Sequence, residues 1–506
     1  MTTAAGRAIP PGDPRYEDLA LRRRNERFAH RPDYFRVARS TPEVVAAVEE
    51  AVAAGRRLSV RSGGHSMENS VGEERGVILD LASMTGIGYD PAHRAFAVEP
   101  GATLGEIYRQ LYLGWGVTIP GGWGHTVCAG GHIQGGGYGV LSRRFGSVVD
   151  HLDAVEVVVV GADGRARAVR ASRDPADPNH DLWWAHTGGG GGNFGVVTRY
   201  WLRSPGAVGD DPSALLPHPP ARLIAGITRW PWRDLPRESF RRLVRGYGEW
   251  HERHSAPDSP YAALAGRLTI SRRRSADGPD DVVVAGLLDA DLPDARGLLD
   301  AFFGEVCGGL GGTRLTDGPR PWLYTMVPPV VDADSQRAAE HDRYKGKAGY
   351  LRRGLTPAQV DTAYDHLTTP DDRMEFGALW LMSYGGRVNT VAPGDTALAQ
   401  RDSVLKAVYT ATWRDDADDA ACLDWIRRFY RDVYADTGGV PVPGEVSDGA
   451  YINYPDTDLA DPAWNTSGVP WHTLYYKGNY PRLQRVKEAW DPLDVFRHTL
   501  SVRPGG

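Results

Sequence analysis

The sequence predicts an α+β protein built from two structural units. A chain of 506 residues is too long for one ordinary hydrophobic core. Its first part carries three glycine-rich loops within about 130 residues, a density that indicates one extended ligand held several times. After the Pro- and Asp-rich stretch 204–220, alternating segments are separated by helical runs, which is typical of a half-buried antiparallel sheet with helices on one face.

The first unit begins as an alternation of helices and strands. Thr41 and Pro42 open an amphipathic helix that Gly55 is placed to end. Short strands are predicted at residues 58–60 and 77–84. The chain therefore starts as an α/β structure.

A helix and a glycine-rich loop come next. Residues 95–120 predict a strand, a turn, a helix capped by Thr103 and a further strand. The stretch 121–139 holds nine glycines among nineteen residues. We expect neither a stable helix nor a strand interior there, because glycine loses more conformational freedom on folding than any other residue.

A hairpin and a third glycine cluster complete this part of the chain. Residues 153–169 predict two strands joined by a turn at Asp163 and Gly164. Residues 181–203 then carry five consecutive glycines that lead into a strand. Together with residues 60–70 and 121–139, this cluster is the third of the three loops.

The second unit and the chain end have a different pattern. RLTISR, MEFGALWLMSY and AVYTATW predict half-buried strands, and the short patch Arg272, Arg273 and Arg274 is interpreted as a solvated strand end. Residues 438–458 are loop-like and aromatic. The chain closes with an amphipathic helix, RLQRVKEAW, before a break at the following Asp-Pro pair.

Composition excludes several classes of function. A formal net charge of −6 and a pI near 6.2 provide no basic surface for nucleic acid. Three scattered cysteines are too few for a disulfide framework and fit a reducing compartment. The first thirty residues lack an apolar run, so we expect no signal peptide or membrane anchor and a cytoplasmic protein.

The glycine loops do not match the common alternatives to a wrapped polyanionic cofactor. Gly190, Gly192 and Gly195 satisfy GxGxxG, but the match precedes a strand instead of opening a helix. His125 and Cys128 have ligand-type side chains near a further histidine, but the segment has no carboxylate or fourth ligand, so we expect no metal. GxSxG is absent, which disfavours a serine hydrolase.

The spacing of SGGHS, GGHIQGGGYG and GGGGGNFGVVT resembles FAD-linked oxidases of the berberine bridge enzyme type, in the vanillyl-alcohol oxidase superfamily. The likeness continues through AYINYPD, YYKGNYPRL, VKEAWDP and VFRH near the chain end. It implies an FAD domain formed by residues 1–205 and 440–506. An α/β substrate domain with an antiparallel sheet, residues 206–439, is inserted between them.

The resemblance also implies residue roles. Arg61, Ser62, Gly63, Gly64 and Ser66 match the loop that binds the FAD pyrophosphate. His65 matches the histidine bonded covalently to the flavin 8α-methyl group, a tether that makes the flavin a stronger electron acceptor. The other implied cofactor contacts are Gly131, His132, Gly136, Tyr138, Gly139, Gly192, Asn193, Val197, Asn453 and Tyr454.

A second covalent bond to the flavin, through a cysteine, occurs in many members of this family within the pattern G-x-C-x-x-V-G-x-G-G-H. Aligned on Gly130, Gly131 and His132, the pattern places its cysteine at Gly124, while Cys128 occupies the position of a glycine. We therefore expect one bond, through the histidine alone. Cys128 is interpreted as a small buried residue in a tight turn.

Two tyrosines are the candidate catalytic residues. Tyr451 matches the base of related sugar oxidases, and Tyr384 lies where relatives place an assisting group, although packing explains it equally well. A tyrosine base needs hydrogen-bond donors or positive charge nearby, because free tyrosine titrates near 10. Strand alternation predicts that Trp380, Met382 and Tyr384 form one face of a substrate-binding wall.

The resemblance implies an FAD-dependent oxidase that oxidises an alcohol on a sugar, or on a glycosylated or polycyclic natural product, and reduces oxygen to hydrogen peroxide. Its partners are then a small-molecule substrate and molecular oxygen; the sequence predicts no oligomeric state. Two alternatives stay open. One is oxidative cyclisation or desaturation of a secondary metabolite, and the other is a catalytically silent flavoprotein that binds or sequesters a small molecule.

Overall fold

The computed structural model describes residues 7–275, 281–328 and 342–505. Its helices, in chain order, are α1 Arg15–Leu21, α2 Thr41–Ala53, α3 Leu104–Trp115, α4 Ala129–Gln134, α5 Ser142–Phe145, α6 His180–Ala185, α7 Arg237–Arg253, α8 Ala295–Cys307, α9 Trp322–Met326, α10 Pro357–Thr368, α11 Asp419–Val433, α12 Trp471–Tyr476 and α13 Tyr480–Trp490.

The strands form three sheets. In chain order they are β1 Tyr34–Val37, β2 Leu58–Arg61, β3 Val77–Asp80, β4 Ile87–Asp90, β5 Ala95–Val98, β6 Leu152–Val160, β7 Ala166–Ser172, β8 Val196–Leu202, β9 Arg222–Trp230, β10 Ala265–Ser271, β11 Val282–Asp289, β12 Thr313–Thr316, β13 Arg320–Pro321, β14 Arg343–Leu351, β15 Phe376–Ser383 and β16 Leu405–Trp413.

The N-terminal part builds the two smaller sheets. A three-stranded parallel sheet has the order β1-β3-β2, and a five-stranded antiparallel sheet has the order β4-β5-β8-β6-β7. Helix α2 buries Val44 and Val48 in a core that includes both Val77 and Val158, so it lies between the two sheets. The predicted hairpin is confirmed, with Gly164 at φ +74° in its turn.

The largest sheet has eight strands in the order β12-β9-β11-β10-β15-β16-β14, with β13 paired to β9, and its pairs are antiparallel. Helices cover one face. Phe302 of α8 packs over Gly286, Tyr247 of α7 over Gly266, and Trp425 of α11 over Gly377. The α+β fold class is thereby confirmed, and the opposite face of this sheet is left to form a wall of the candidate site.

The chain end packs against the N-terminal part. The buried ammonium of Lys487, in α13, donates to the backbone oxygens of Asn193 and Phe496 at 2.9 and 2.6 Å. The backbone N–H of Val502 donates to Asn193 Oδ1 at 2.8 Å. These contacts join the third glycine cluster to the final segment, while the domain boundaries at residues 205 and 440 stay predictions.

Three local expectations were wrong. Residues 117–120 form no strand, because they run beside residue 217 without a paired ladder. The glycine-rich stretch contains the short helix α4, whose Gly130 allows close packing, since a Cβ there would lie 2.2 Å from Ser62 Oγ. Arg272 is buried instead of solvated: it pairs with Asp371 at 3.1 Å and stacks on Trp425.

No helix in the described part of the chain is both long enough and apolar enough to cross a membrane.

A buried ion pair fixes the start of the first glycine loop. Arg61, at the end of β2, is fully buried and donates through Nε to Asp80 Oδ2 at 2.9 Å. Asp80 also binds Arg22 and accepts the N–H of Ala82 at 3.0 Å. Arg22 in turn donates to the backbone oxygen of Ser62 at 2.8 Å. The Asp80 carboxylate therefore fixes the start of the following loop through its contacts with Arg61 and Arg22.

We expect Asp80→Asn to lower the free energy of unfolding by about 3–5 kcal/mol, because it leaves the buried Arg61 guanidinium uncompensated. Denaturant unfolding of the holoprotein measures this. The matched control is Asp424→Asn, which breaks an exposed pair with Arg428 and should cost no more than about 1 kcal/mol. Equal effects of the two substitutions would contradict the assignment.

Candidate active site

One cavity of about 740 Å³ contains most of the predicted site residues. Its walls come from the three glycine-rich loops, the segment 451–455, the chain end around His498 and the helix-free face of the large sheet. The predicted residues that line it are Ser62, Gly63, Gly64, His65, Ser66, Cys128, Gly131, His132, Tyr138, Gly192, Asn193, Val197, Tyr451, Asn453 and Tyr454.

Four predicted site residues do not line this cavity. Arg61 lies beneath the first loop, where Asp80 binds its guanidinium. Gly136 and Gly139 serve close packing: a Cβ on Gly139 would lie 1.7 Å from the backbone oxygen of Gly121. Tyr384 is buried next to the cavity wall but is not part of it.

The first loop has the properties of an anion-binding nest. In the described chain, the backbone N–H groups of residues 63–66 donate to no acceptor, and these residues line the cavity. Gly64 has φ +75°, a left-handed conformation that lets successive N–H groups converge on one anion. The loop therefore fits a pyrophosphate.

The third glycine cluster presents its backbone to the same cavity. Asn193 holds the cluster by donating from Nδ2 to the backbone oxygens of Gly189 and Gly190 at 2.9 and 3.0 Å. Gly190 and Gly192 have φ +84° and +73°, which disfavours any residue with a Cβ. A long cofactor can thus approach the backbone at both glycine clusters.

His65 is half-buried at the cavity wall, and its imidazole is neutral at neutral pH. Its Nε2 lies 3.2 Å from Thr126 Oγ1. Burial, with a smaller contribution from the positive charge of Arg24, lowers the pKa of His65 to about 4. At neutral pH the ring therefore keeps a nitrogen lone pair, as a histidine that bonds to a flavin carbon requires.

Cys128 lies beside His65's loop but is occupied by other contacts. It precedes helix α4, and its thiol donates to the backbone oxygen of Gly101 at 3.2 Å. Burial raises the pKa of the Cys128 thiol to about 11, so little thiolate forms at neutral pH. A Cβ on Gly63 would lie 2.9 Å from Cys128 Sγ, so the thiol packs against that glycine.

Tyr451 has the donors that a tyrosine base requires. Its hydroxyl oxygen accepts the backbone N–H of Gly137 at 3.1 Å and the Nδ2 of Asn453 at 3.0 Å. Asn453 also donates to the backbone oxygen of His132, which fixes the orientation of its amide. Burial raises the pKa of Tyr451, and these two hydrogen bonds act in the opposite direction, because they stabilise the phenolate.

A buried lysine surrounded by tyrosine rings is the site residue that the sequence did not predict. The Lys406 Nζ lies 3.2 Å from the ring centroid of Tyr138, 3.6 Å from that of Tyr451, 4.5 Å from that of Tyr350 and 4.7 Å from that of Tyr384. Among the described residues it has no hydrogen-bond partner. A lysine within the apolar strand LKAVYTATW was the available signal.

The side-chain nitrogen of Lys406 lies against the ring of Tyr451, so the charge state of each side chain affects that of the other. Burial lowers the pKa of Lys406 well below its usual value and raises that of Tyr451, so burial favours the neutral form of both. A protonated Lys406 against the Tyr451 ring would stabilise the Tyr451 phenolate, and that phenolate would in turn stabilise the protonated form of Lys406. Ionisation of one group thus promotes ionisation of the other.

The large sheet supplies the opposite wall. Trp380 and Met382 line the cavity as predicted, beside Phe376 of the same strand and Tyr344 of β14. The predicted alternation does not extend to Tyr384, because β15 ends at residue 383. Tyr384 instead packs edge-on against Tyr138 and Tyr350, at ring distances of 6.0 and 5.2 Å.

A buried charge cluster joins three segments around the cavity. Lys345 of β14 binds Glu68 and also Asp456, the latter at 2.8 Å. Lys347 binds Asp456 at 2.6 Å and Asp458 at 2.8 Å. Burial alone would lower the pKa of Lys345, but Asp456 and Glu68 raise it, so its ammonium stays charged. The cluster connects the His65 loop to the Tyr451 segment.

No group of three or more potential metal ligands occurs in residues 7–275, 281–328 and 342–505. The donors that line the cavity include backbone N–H groups and the cationic side chains of Arg24, Arg267 and Arg497, which suit an anionic organic ligand better than a cation.

Two protein families match the chain. The FAD binding domain family matches residues 32–170, and the family described as berberine and berberine like matches residues 450–503. The two matched segments carry the first two glycine loops and the Tyr451 segment respectively. The matched segments therefore contribute part of the cavity lining, and the sheet wall lies outside them.

Three relatives are similar over most of their length. Aclacinomycin-N/aclacinomycin-A oxidase of Streptomyces galilaeus is 51% identical over 496 residues, which cover 98% of this chain and 89% of that protein. Hexose oxidase of Chondrus crispus is 29% identical, with 88% and 85% covered. The crystal structure of a glycopeptide hexose oxidase complexed with teicoplanin has 51% identity and a TM-score of 0.94, with 99% of each chain covered.

Replacing Lys406 by methionine is expected to make stability less dependent on pH. Because the pKa of Lys406 is lowered in the folded state, the folded protein binds fewer protons than the unfolded chain at pH values between that pKa and about 10.4. Wild-type stability should therefore rise with pH relative to Lys406→Met, by up to about 1.4 kcal/mol per pH unit.

Denaturant unfolding of both holoproteins at several pH values between 6 and 9.5 measures this difference. Arg245→Met, which removes an exposed charge from α7, serves as the control and should give a difference from wild type that does not change with pH. A pH-independent difference for Lys406→Met as well would contradict the lowered pKa.

Proposed function

The chain belongs to the berberine and berberine-like family of FAD-linked oxidases, and from this we propose that it oxidises an alcohol of a sugar or of a glycosylated or polycyclic natural product. One observation carries the proposal. Tyr451 lines the cavity, its hydroxyl oxygen accepts two N–H donors, and Lys406 lies against its ring, an arrangement that suits a general base for an alcohol.

The glycine loops hold the cofactor in this proposal. The N–H groups of residues 63–66 bind the FAD pyrophosphate, and Gly192 and Asn193 contact it from the third cluster. FAD would supply the two-electron oxidation of the alcohol and the return of those electrons to oxygen as hydrogen peroxide. His65 would hold the flavin covalently and prevent its loss.

Tyr451 removes the proton from the alcohol oxygen. The N–H groups of Gly137 and Asn453 stabilise the phenolate at its oxygen, and Lys406 stabilises it at the ring face when it takes up a proton. Tyr384 supports this arrangement by packing against Tyr138 and does not line the cavity.

The substrate class rests on the cavity wall and on the relatives. Trp380, Phe376 and Tyr344 provide aromatic surfaces on which a sugar or a fused ring system can stack. Two of the relatives are named for aclacinomycin and hexose, and the third was crystallised with teicoplanin. A glycosylated or polycyclic secondary metabolite of antibiotic type fits both observations.

A reducing, cytoplasmic location is part of the proposal. Cys128, Cys307 and Cys422 are free and buried, and none is paired with another.

A single covalent bond to the flavin is expected. Acid precipitation of the wild-type protein should carry the flavin into the pellet, whereas His65→Ala should release it into the supernatant. Cys128→Ala should keep the flavin in the pellet, because the Cys128 thiol already donates to Gly101 and forms little thiolate. Flavin absorbance of pellet and supernatant measures the distribution; flavin that stays in the pellet with His65→Ala would indicate a second bond and contradict a single one.

Tyr451→Phe should slow flavin reduction by about 10²- to 10⁴-fold, because the general base is lost while the ring still packs. Anaerobic stopped-flow absorbance measures reduction with a panel of hexoses, glycosides and glycosylated polyketides, and peroxide release in air confirms oxidase turnover. Tyr384→Phe is the matched control and should change the rate by less than about tenfold.

The panel also separates the alternatives. Failure of every candidate to reduce wild-type flavin would favour the silent binding protein. Reduction that yields a cyclised or desaturated product instead of a carbonyl would favour the other oxidative chemistry. An unaffected rate in Tyr451→Phe would remove Tyr451 from the role of base.

A further inference from the structure

The proposed mechanism does not use Arg267, which lies on the sheet wall of the cavity. Arg267 belongs to β10, and its side chain lines the cavity at an accessible position. It pairs across the sheet with Met382, and Met382 pairs with Lys406. Directly opposite residues share a face in an antiparallel sheet, so Arg267 and Lys406 lie in one cross-strand row.

Arg267 has no counter-charge among the described residues. Its guanidinium makes no hydrogen bond or ion pair there, and its recorded contact is with the ring of Trp380, 5.9 Å from its Cζ. Asp342 also lines the cavity, and burial raises its pKa while the positive charge of Arg24 acts in the opposite direction. The cationic group is therefore available to a ligand.

A second donor lies beside it without an acceptor. The indole Nε1 of Trp380 is buried and has no hydrogen-bond partner within residues 7–275, 281–328 and 342–505. Trp380 of β15 pairs with Thr269 of β10, and Thr269 lies two residues after Arg267 in β10. The guanidinium and the indole N–H are thus adjacent donors on one face.

The two groups differ in their exposure. Arg267 is exposed to the cavity, and partial desolvation lowers its pKa, so its charge is incompletely solvated. The indole N–H of Trp380 is buried without an acceptor, which costs free energy that a complementary acceptor recovers. A planar oxyanion can satisfy the two-pronged guanidinium and leave a lone pair for the indole N–H.

We infer that the substrate carries an acidic group, a carboxylate or a similarly acidic oxyanion, which Arg267 and Trp380 bind while the alcohol lies at Tyr451. This inference rests on the proposed function for the position of the alcohol. Two strand spacings separate Arg267 from Lys406, so their Cα atoms are about 10 Å apart. The acidic group therefore lies on a different ring or arm of the substrate from the oxidised alcohol.

The test uses a matched pair of probes, 4-carboxyphenyl β-D-glucopyranoside and its neutral isostere 4-carbamoylphenyl β-D-glucopyranoside. Calorimetric titration of the holoenzyme without oxygen, with its flavin chemically reduced beforehand so that it cannot accept a hydride, measures binding independently of turnover. Wild type should bind the carboxylate about 10- to 100-fold more tightly than the amide, the range for a charge-assisted hydrogen-bonded pair. Arg267→Met should abolish this preference and leave amide binding within about twofold.

Graded variants and a charge control complete the experiment. Arg267→Lys should keep part of the preference, because it retains the charge and loses the planar fork. Trp380→Phe should reduce the preference without removing it. Arg245→Met, which removes a surface charge, should retain it in full. Flavin absorbance and the unfolding midpoint establish that each variant is folded.

The outcomes separate this inference from the proposed function. The inference is overturned if wild type shows no preference for the carboxylate, either because both probes bind equally well or because neither binds. It is also overturned if the preference survives in Arg267→Met. If Arg267-dependent carboxylate binding is found but no alcohol in the panel reduces the flavin, the anion site stands and the proposed oxidation falls. If alcohols are oxidised but wild type shows no preference for the carboxylate, the proposed oxidation stands and the anion site falls.

Discussion

Burial of three acidic and two basic side chains in one cluster, beside a half-buried arginine, constrains the whole site. Glu68 follows the His65 loop, Asp456 and Asp458 follow the Tyr451 segment, and Lys345 and Lys347 belong to the large sheet, with Arg427 completing the balance. Removal of one member would leave an uncompensated charge in a low-dielectric interior. The glycine loop, the base segment and the substrate wall therefore keep one relative position.

The sequence predicted those parts of the site whose function resides in a short stretch of backbone. A turn with positive φ at Gly64, a histidine directly after it, and Asn453 close to Tyr451 are visible as local spacing. The fold class followed from the change from glycine-rich to alternating segments. Such signals survive without knowledge of tertiary contacts, because the chemistry and the conformation belong to neighbouring residues.

Residues whose role depends on distant partners were not predicted. Lys406 is notable only after Tyr138 and Tyr451, each from another part of the chain, are brought against it. Arg267 was not predicted as a site residue. The alternation of the strand shows on which face of the sheet Arg267 lies, but it does not show which other parts of the chain pack against that face. Arg61 was misplaced for the same reason: its neighbour in sequence is the cofactor loop, whereas its partner in space is Asp80.

The first glycine loop has a consequence for folding. Its N–H groups at residues 63–66 find no acceptor within the described chain, so an FAD bound there would supply partners that the polypeptide lacks. Folding and cofactor binding are then linked by mass action: a freely dissociating cofactor stabilises the native state by an amount that falls on dilution. A bond at His65 would make that stabilisation independent of cofactor concentration, so a scarce cofactor would limit the yield of mature protein but not its lifetime.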